Sequence, residues 1–149
     1  MIRLALLSSV DGLGFQAVYD ACESGELDAV VAVMAAEKKC AAILRAEAVG
    51  TPVIFHPWGP YKVAGKLRAT YDRDLAVKLW MHAAGLVLLD GWERELTWGF
   101  TEMFAGRIID LGNPGISPLV PEKRERITAL VQHALTKDGA GRAAERSRE

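Results

Sequence analysis

Two hydrophobic periods alternate along the chain. Ile2 to Ser8 (IRLALLS) is a short apolar run that stops at a turn, Ser9-Val10-Asp11-Gly12. Phe15, Val18, Tyr19 and Cys22 then recur at i, i+3, i+4 and i+7, the spacing of a one-faced helix, and Gly25 ends it. Asp28 to Met34 (DAVVAVM) is nearly continuous in apolar residues, which suits a strand covered on both faces. A second helix is expected from about Lys39 to Val49, with Ile43 and Leu44 inward and Gly50 as its stop. Thr51 to Phe55 reads as a third strand, its Pro52 confined to the strand's start or to an edge.

His56 to Ala69 reads as irregular, broken by Pro57, Gly59, Pro60 and Gly65. Helix returns over Tyr71 to Ala83, where Leu75, Leu79 and His82 share a face with Trp80 beside them. Leu86 to Leu89 is a fourth strand, Thr97 an N-cap for a short helix through Ala105, and Arg107 to Leu111 a fifth strand. A Pro/Gly-rich loop, Gly112 to Pro121, leads to a last helix with Ile127, Leu130, Val131, Ala134 and Leu135 on one side. Strands alternating with helices at this spacing predict a doubly wound, Rossmann-like α/β domain: a mostly parallel sheet flanked by helices, over residues 1–136. Residues 137–149 are polar and read as a tail or solvated helix.

Composition narrows this picture. The 149 residues suit about one domain, and 50% apolar with 25% charged residues is enough for a buried core. Eighteen Lys+Arg against nineteen Asp+Glu give a net charge of −1, so a global basic field for nucleic acid is missing. The longest apolar runs fall far short of the ~20 residues of a membrane span, and Met1 to Leu7 is no signal peptide. Cys22 and Cys40 read as reduced thiols, which points to a cytoplasmic protein.

In a doubly wound sheet ligands bind beyond the carboxyl ends of the strands, so the turns after Ser8, Met34, Leu89 and Leu111 are where chemistry is expected. Asp11-Gly12-Leu13-Gly14 opens a helix and is either a phosphate cradle or a tight turn; Asp11 itself would repel a phosphate. The chain carries neither G-x-G-x-x-G nor the P-loop pattern. Gly91-Trp92-Glu93-Arg94 after the fourth strand suits a pocket wall or a solvated face, and Asp110 to Pro114 places polar groups at the end of the fifth. His56, His82 and His133 have no metal-ligand spacing, and no metal is expected. Lys62, Lys66, Arg68 and Arg73, interleaved with Asp72 and Asp74, read as a solvated face.

Taken together these pieces resemble the phosphoribosylglycinamide formyltransferase family over roughly Ile2 to Pro121. Leu89-Asp90-Gly91-Trp92-Glu93-Arg94-Glu95-Leu96 is similar to the family's Ala-Gly-Phe-Met-Arg-Ile-Leu, and Phe104-Ala105-Gly106-Arg107-Ile108-Ile109 to its Tyr-Ala-Gly-Arg-Leu-Leu-Asn-Ile-His-Pro. Tyr71-Asp72-Arg73-Asp74-Leu75 fits its Tyr-Asp-Arg-Glu-Leu, and Gly12 with Phe15-Gln16-Ala17 fits the end of its Gly-Asn-Gly-Ser-Asn-Leu-Gln-Ala phosphate loop.

The resemblance implies a formyltransferase-like fold, and formyl transfer from 10-formyltetrahydrofolate to the amine of glycinamide ribonucleotide, a step of purine biosynthesis. It places the substrate phosphate at Asp11, Gly12, Leu13 and Gly14, and folate near Gly91, Trp92, Glu93 and Arg94. Asp110 and Asn113 fall at the family's catalytic Asn and His positions: without a gap Asp110 stands for Asn and Gly112 for His, and with one inserted residue Asn113 precedes the Pro. Either way the imidazole is absent, and the family's later segment with a catalytic Asp is not recognisable after Glu122. The expectation is therefore a non-catalytic ligand-binding or regulatory homologue, taking a nucleotide-like phosphate or folate and forming a homodimer or completing its sheet with a partner chain. Active formyl transfer, completed by such a chain, is the alternative.

Overall fold

The computed structural model describes residues 1–112, 121–122, 125–126 and 128–133. Ten elements follow one another: β1 (Ile2–Ser8), α1 (Leu13–Glu23), β2 (Ala29–Ala36), α2 (Ala41–Ala48), β3 (Val53–Phe55), α3 (Gly59–Val63), α4 (Arg68–Met81), β4 (Leu86–Asp90), α5 (Trp98–Thr101) and β5 (Ile108–Asp110). The five strands form one sheet in the order β3-β2-β1-β4-β5, every pair parallel. This is the doubly wound α/β architecture that the alternation of periods predicts.

The unbroken apolar runs of β1 and β2 follow from burial on both sides of the sheet. Leu4 and Leu6 face one core with Phe15, Val18 and Ala21 of α1 and Ala42 and Ala46 of α2. Ala5 and Leu7 face the other, with Leu75 and Leu79 of α4 and Phe100 and Phe104 around α5. Each buried Leu or Phe contributes about 1.5–3 kcal/mol, so both faces hold the sheet. Gly99 lets α5 lie on the start of α4, because a Cβ there would collide with the Ala69 carbonyl.

Several local expectations are corrected. Residues 56–69 are not simply irregular: Pro60 sits in the first turn of α3, where its fixed φ favours a helix and its missing N–H costs nothing. The helix after Thr97 ends at Thr101 and passes into turns rather than running to Ala105. On α2 the deeply buried positions are Ala42 and Ala46, while Leu44 is 68% exposed: close approach to the turn after β1 selects small residues on the inner side. Trp80 stands out from α4 at 61% exposure. Of the last helix, residues 128–133 are helical, with Val131 in the first core and Gln132 Nε2 donating to the Glu26 carbonyl at 2.7 Å. The 137–149 tail lies outside the described residues.

Candidate functional site

Strand order reverses beside β1: the chain moves outward through β2 and β3 and then returns to the other flank of β1 as β4. Beyond the carboxyl ends of β1, β4 and β5 lies a cleft of about 230 Å³ lined by Val10, Gly91, Trp92, Glu93, Asp110 and Gly112. The topology thus brings together three turns that sequence marks separately.

The turn after β1 is built to start α1. Gly12 adopts φ 75°, and its space is closed by Ala42, whose Cα would lie 2.7 Å from a Cβ at Gly12. Asp11 Oδ1 accepts the Leu13 N–H at 3.1 Å, and the Gly12 carbonyl accepts the Gln16 N–H at 2.9 Å. Arg45 Nε donates to the Asp11 carbonyl at 2.7 Å, which pins the turn from α2.

The remaining donors of this helix end meet Asp90. Parallel pairing sets Ser8 opposite Asp90, and the Asp90 carboxyl, fully buried, leans onto the start of α1. Its Oδ2 accepts the Phe15 N–H at 3.0 Å and the Ser8 hydroxyl at 2.9 Å. Its Oδ1 makes no well-formed hydrogen bond among the described residues and lies against Gly14, where a Cβ would collide with it. Burial pushes the Asp90 carboxyl above the usual carboxylate range; the Phe15 N–H and the Ser8 hydroxyl pull it down, the Asp11 charge raises it further, and the Gly14 N–H lowers it. The N–H groups of Leu13 and Phe15, expected in a phosphate cradle, are therefore engaged by carboxylates of the chain itself.

The turns after β2 and β4 are laced together across the end of β1. Lys38 pairs with Glu93 at 3.1 Å, and Arg94 with Glu37 at 3.2 Å. The Glu93 N–H donates to Ser9 Oγ at 3.4 Å, and the Gly91 N–H to the Gly112 carbonyl at 2.8 Å. Gly91, Trp92 and Glu93 line the cleft as a wall segment would; Arg94 instead turns to Glu37, which also receives Arg68 at 3.5 Å. Asp110 sits exposed at the rim, its Oδ1 accepting the Gly112 N–H at 2.7 Å. Asn113 lies outside the described residues.

None of the three histidines lines the cleft. His56 is buried beyond β3, Nε2 against the Tyr71 carbonyl at 2.9 Å and Nδ1 against Lys78 Nζ at 3.0 Å, and burial holds its pKa below the ordinary value. His82 ends α4, where its carbonyl accepts Arg3, and His133 is an exposed residue of the 128–133 helix. Arg68 is not part of a solvated face: it stacks 4.0 Å from the Tyr71 ring centroid and 5.2 Å from that of Trp58. Cys22 and Cys40 are free thiols, and burial pushes Cys22 up to about 11. Among the described residues no cluster of His, Cys, Asp and Glu could hold a metal ion, and no helix is long and apolar enough to cross a membrane.

Sequence reasoning marked the turns but missed Asp90 as the partner of α1. The available signal was a carboxylate closing an apolar strand beside a glycine-rich turn.

The family model described as "Formyl transferase" matches residues 2–113. Phosphoribosylglycinamide formyltransferase of Escherichia coli (strain K12) is 29% identical over 121 residues, covering 80% of this chain and 55% of that protein. The Haemophilus influenzae protein of the same name is 29% identical over 126 residues, covering 79% and 54%. The chain thus spans about half the length of the curated relatives it matches. Among solved structures, glycinamide ribonucleotide transformylase 1 from Symbiobacterium toebii superposes with a TM-score of 0.70 at 28% identity, over 74% of this chain and 50% of that one. The Geobacillus kaustophilus counterpart gives 0.69 at 25% identity, over 74% and 57%.

Proposed function

The chain belongs to the formyl transferase family, and from that premise we propose that it is a ligand-binding homologue that does not itself transfer formyl groups. The observation that carries this reading is the cleft's rim: Asp110 and Glu93 line it, and no imidazole does. Attack of an amine on a formyl carbon builds negative charge on the formyl oxygen, which needs donors fixed before that charge appears; losing one such donor typically costs ~10²–10³ in rate. A carboxylate only accepts hydrogen bonds, so Asp110 opposes that oxyanion. The cleft is better suited to holding a molecule than to turning it over.

A second reading, formyl transfer from 10-formyltetrahydrofolate to phosphoribosylglycinamide or a related amine, is favoured by Asp110 itself. On this reading Asp110, at the rim, takes the proton that the attacking amine sheds as the new C–N bond forms and returns it to the folate nitrogen as the old C–N bond breaks. Incubating the full chain with both compounds and following folate absorbance separates the two. Thermal stabilisation by either compound without turnover is expected. Turnover that disappears on Asp110→Ala overturns the binding reading.

Gly91, Trp92 and Glu93 are the wall against which a folate-like ring would lie. We also read the protein as a cytoplasmic homo-oligomer. Support for assembly comes from β3, which is an edge strand carrying a half-exposed Phe55. Sedimentation as a monomer at micromolar concentration overturns that part.

A further inference from the structure

The first turn of an α-helix presents unpaired N–H groups and the positive end of the helix dipole, so it attracts an anion. In α1 that position is already taken from inside the protein. Phe15 N–H donates to Asp90, Leu13 N–H to Asp11 and Gln16 N–H to the Gly12 carbonyl. Asp90 is fully buried, and its Oδ1 makes no well-formed hydrogen bond among the described residues and lies against Gly14. Among the described residues no Lys or Arg pairs with it; the nearby charge that acts on it is another carboxylate, Asp11. A buried carboxylate is costly unless something compensates it, and here the compensation is the helix end itself with the Ser8 hydroxyl. Gly14 completes the arrangement, since any side chain there would displace the carboxyl.

We propose that Asp90 is a built-in anion: its carboxylate holds the place that an anionic ligand would take on α1, so the cleft selects molecules that bring no phosphate or carboxylate to the β1–α1 turn. The group that a ligand presents to this turn is neutral or cationic, consistent with Asp110 and Glu93 on the rim; this choice rests on the binding reading above. Asp90 acts as a specificity-determining residue by occupying the donors, with no need to touch the ligand.

The test is an amide chemical-shift titration of the full chain with inorganic phosphate. In the wild type, the Leu13, Gly14 and Phe15 amides should stay still through millimolar phosphate. In Asp90→Ala they should move saturably, with affinity at least ~10-fold tighter than in the wild type, about the worth of one favourable helix-end interaction. Asp90→Asn keeps the volume without the charge and serves if the alanine variant does not fold; its gain should be smaller and of the same sign. Wild-type amides that titrate with phosphate overturn the proposal, as does an absence of gain in both variants or phosphate binding that leaves these three amides unmoved. Turnover of phosphoribosylglycinamide with the same amides unmoved would sink the binding reading and leave the role of Asp90 standing.

Discussion

Asp72 and Asp90 are both completely withdrawn from solvent, one in the first turns of α4 and the other at the end of β4. Around Asp72 the charge is met by charge. Arg68 Nε lies 3.4 Å away, and the Thr97 N–H and hydroxyl donate at 2.7 and 2.6 Å, tying the start of α5 to α4. Around Asp90, among the described residues, only dipoles compensate the charge: the start of α1 and a serine hydroxyl. The difference separates a structural carboxylate from one that stands in for something else. Asp72 Oδ1 also lacks a hydrogen-bond partner among the described residues, but it faces a guanidinium, whereas a buried anion held by a helix end sits where an anion from outside would be held equally well.

The largest effect is expected at Asp72. Asp72→Ala leaves a largely buried guanidinium short of a partner and removes the one oxygen that accepts both Thr97 donors, and should cost about 3 kcal/mol in a urea unfolding titration. A loss under ~1 kcal/mol would mean that Glu37 alone satisfies Arg68, and the contrast with Asp90 would fall.

Gly14→Ala should cost about 1–3 kcal/mol by forcing the new methyl against Asp90, even though alanine favours helix. Combining it with Asp90→Ala should recover most of that loss, and the double-mutant cycle measures the coupling. Additive losses would show that the two residues do not compete for one space.

The third test uses pH. Asp90 has its folded pKa raised by burial, so the folded chain binds its proton more readily than the unfolded chain does. Such a group favours folding below the unfolded value of about 3.9 and loses that contribution as pH climbs through the raised folded value. The wild type should therefore gain stability relative to Asp90→Asn as pH falls from neutrality toward about 4. A difference independent of pH would show that burial does not raise the Asp90 carboxyl. His56 works in the opposite direction in both proteins, since its lowered pKa makes the fold lose stability as pH falls through the ordinary histidine range, and it cancels in the difference.

The smallest effect is at the surface. Lys38 and Glu93 are each about half exposed, so Lys38→Ala should change stability by no more than about 0.5 kcal/mol, and less at high salt. A salt-independent loss would mark the Lys38–Glu93 bridge as part of the cleft's framework.

The five strands and the main helices were legible because their signals are local: short apolar runs for strands covered on both faces, and i, i+3, i+4 spacing for helices packed on one. Pro60 misled because proline breaks a helix interior but opens a first turn, and sequence alone did not tell which position it held. Arg68 looked like one cation of a mixed surface run; the aromatic rings of Trp58 and Tyr71 that bury it are brought to it by α3 and α4. Leu44 looked inward on spacing, yet α2 turns its alanines to the core.

By itself, then, the sequence determined a parallel α/β domain with glycine-rich turns at its strand ends, since propensity, periodicity and turn chemistry act over a few neighbouring residues. Only the tertiary structure decided what those turns hold. The carboxylate that fills the start of α1 arrives from a strand 75 residues later, set there by the parallel register that puts Asp90 beside Ser8. Nothing within the window of a turn could have announced that contact, because it exists only once β4 has crossed the sheet to pair with β1.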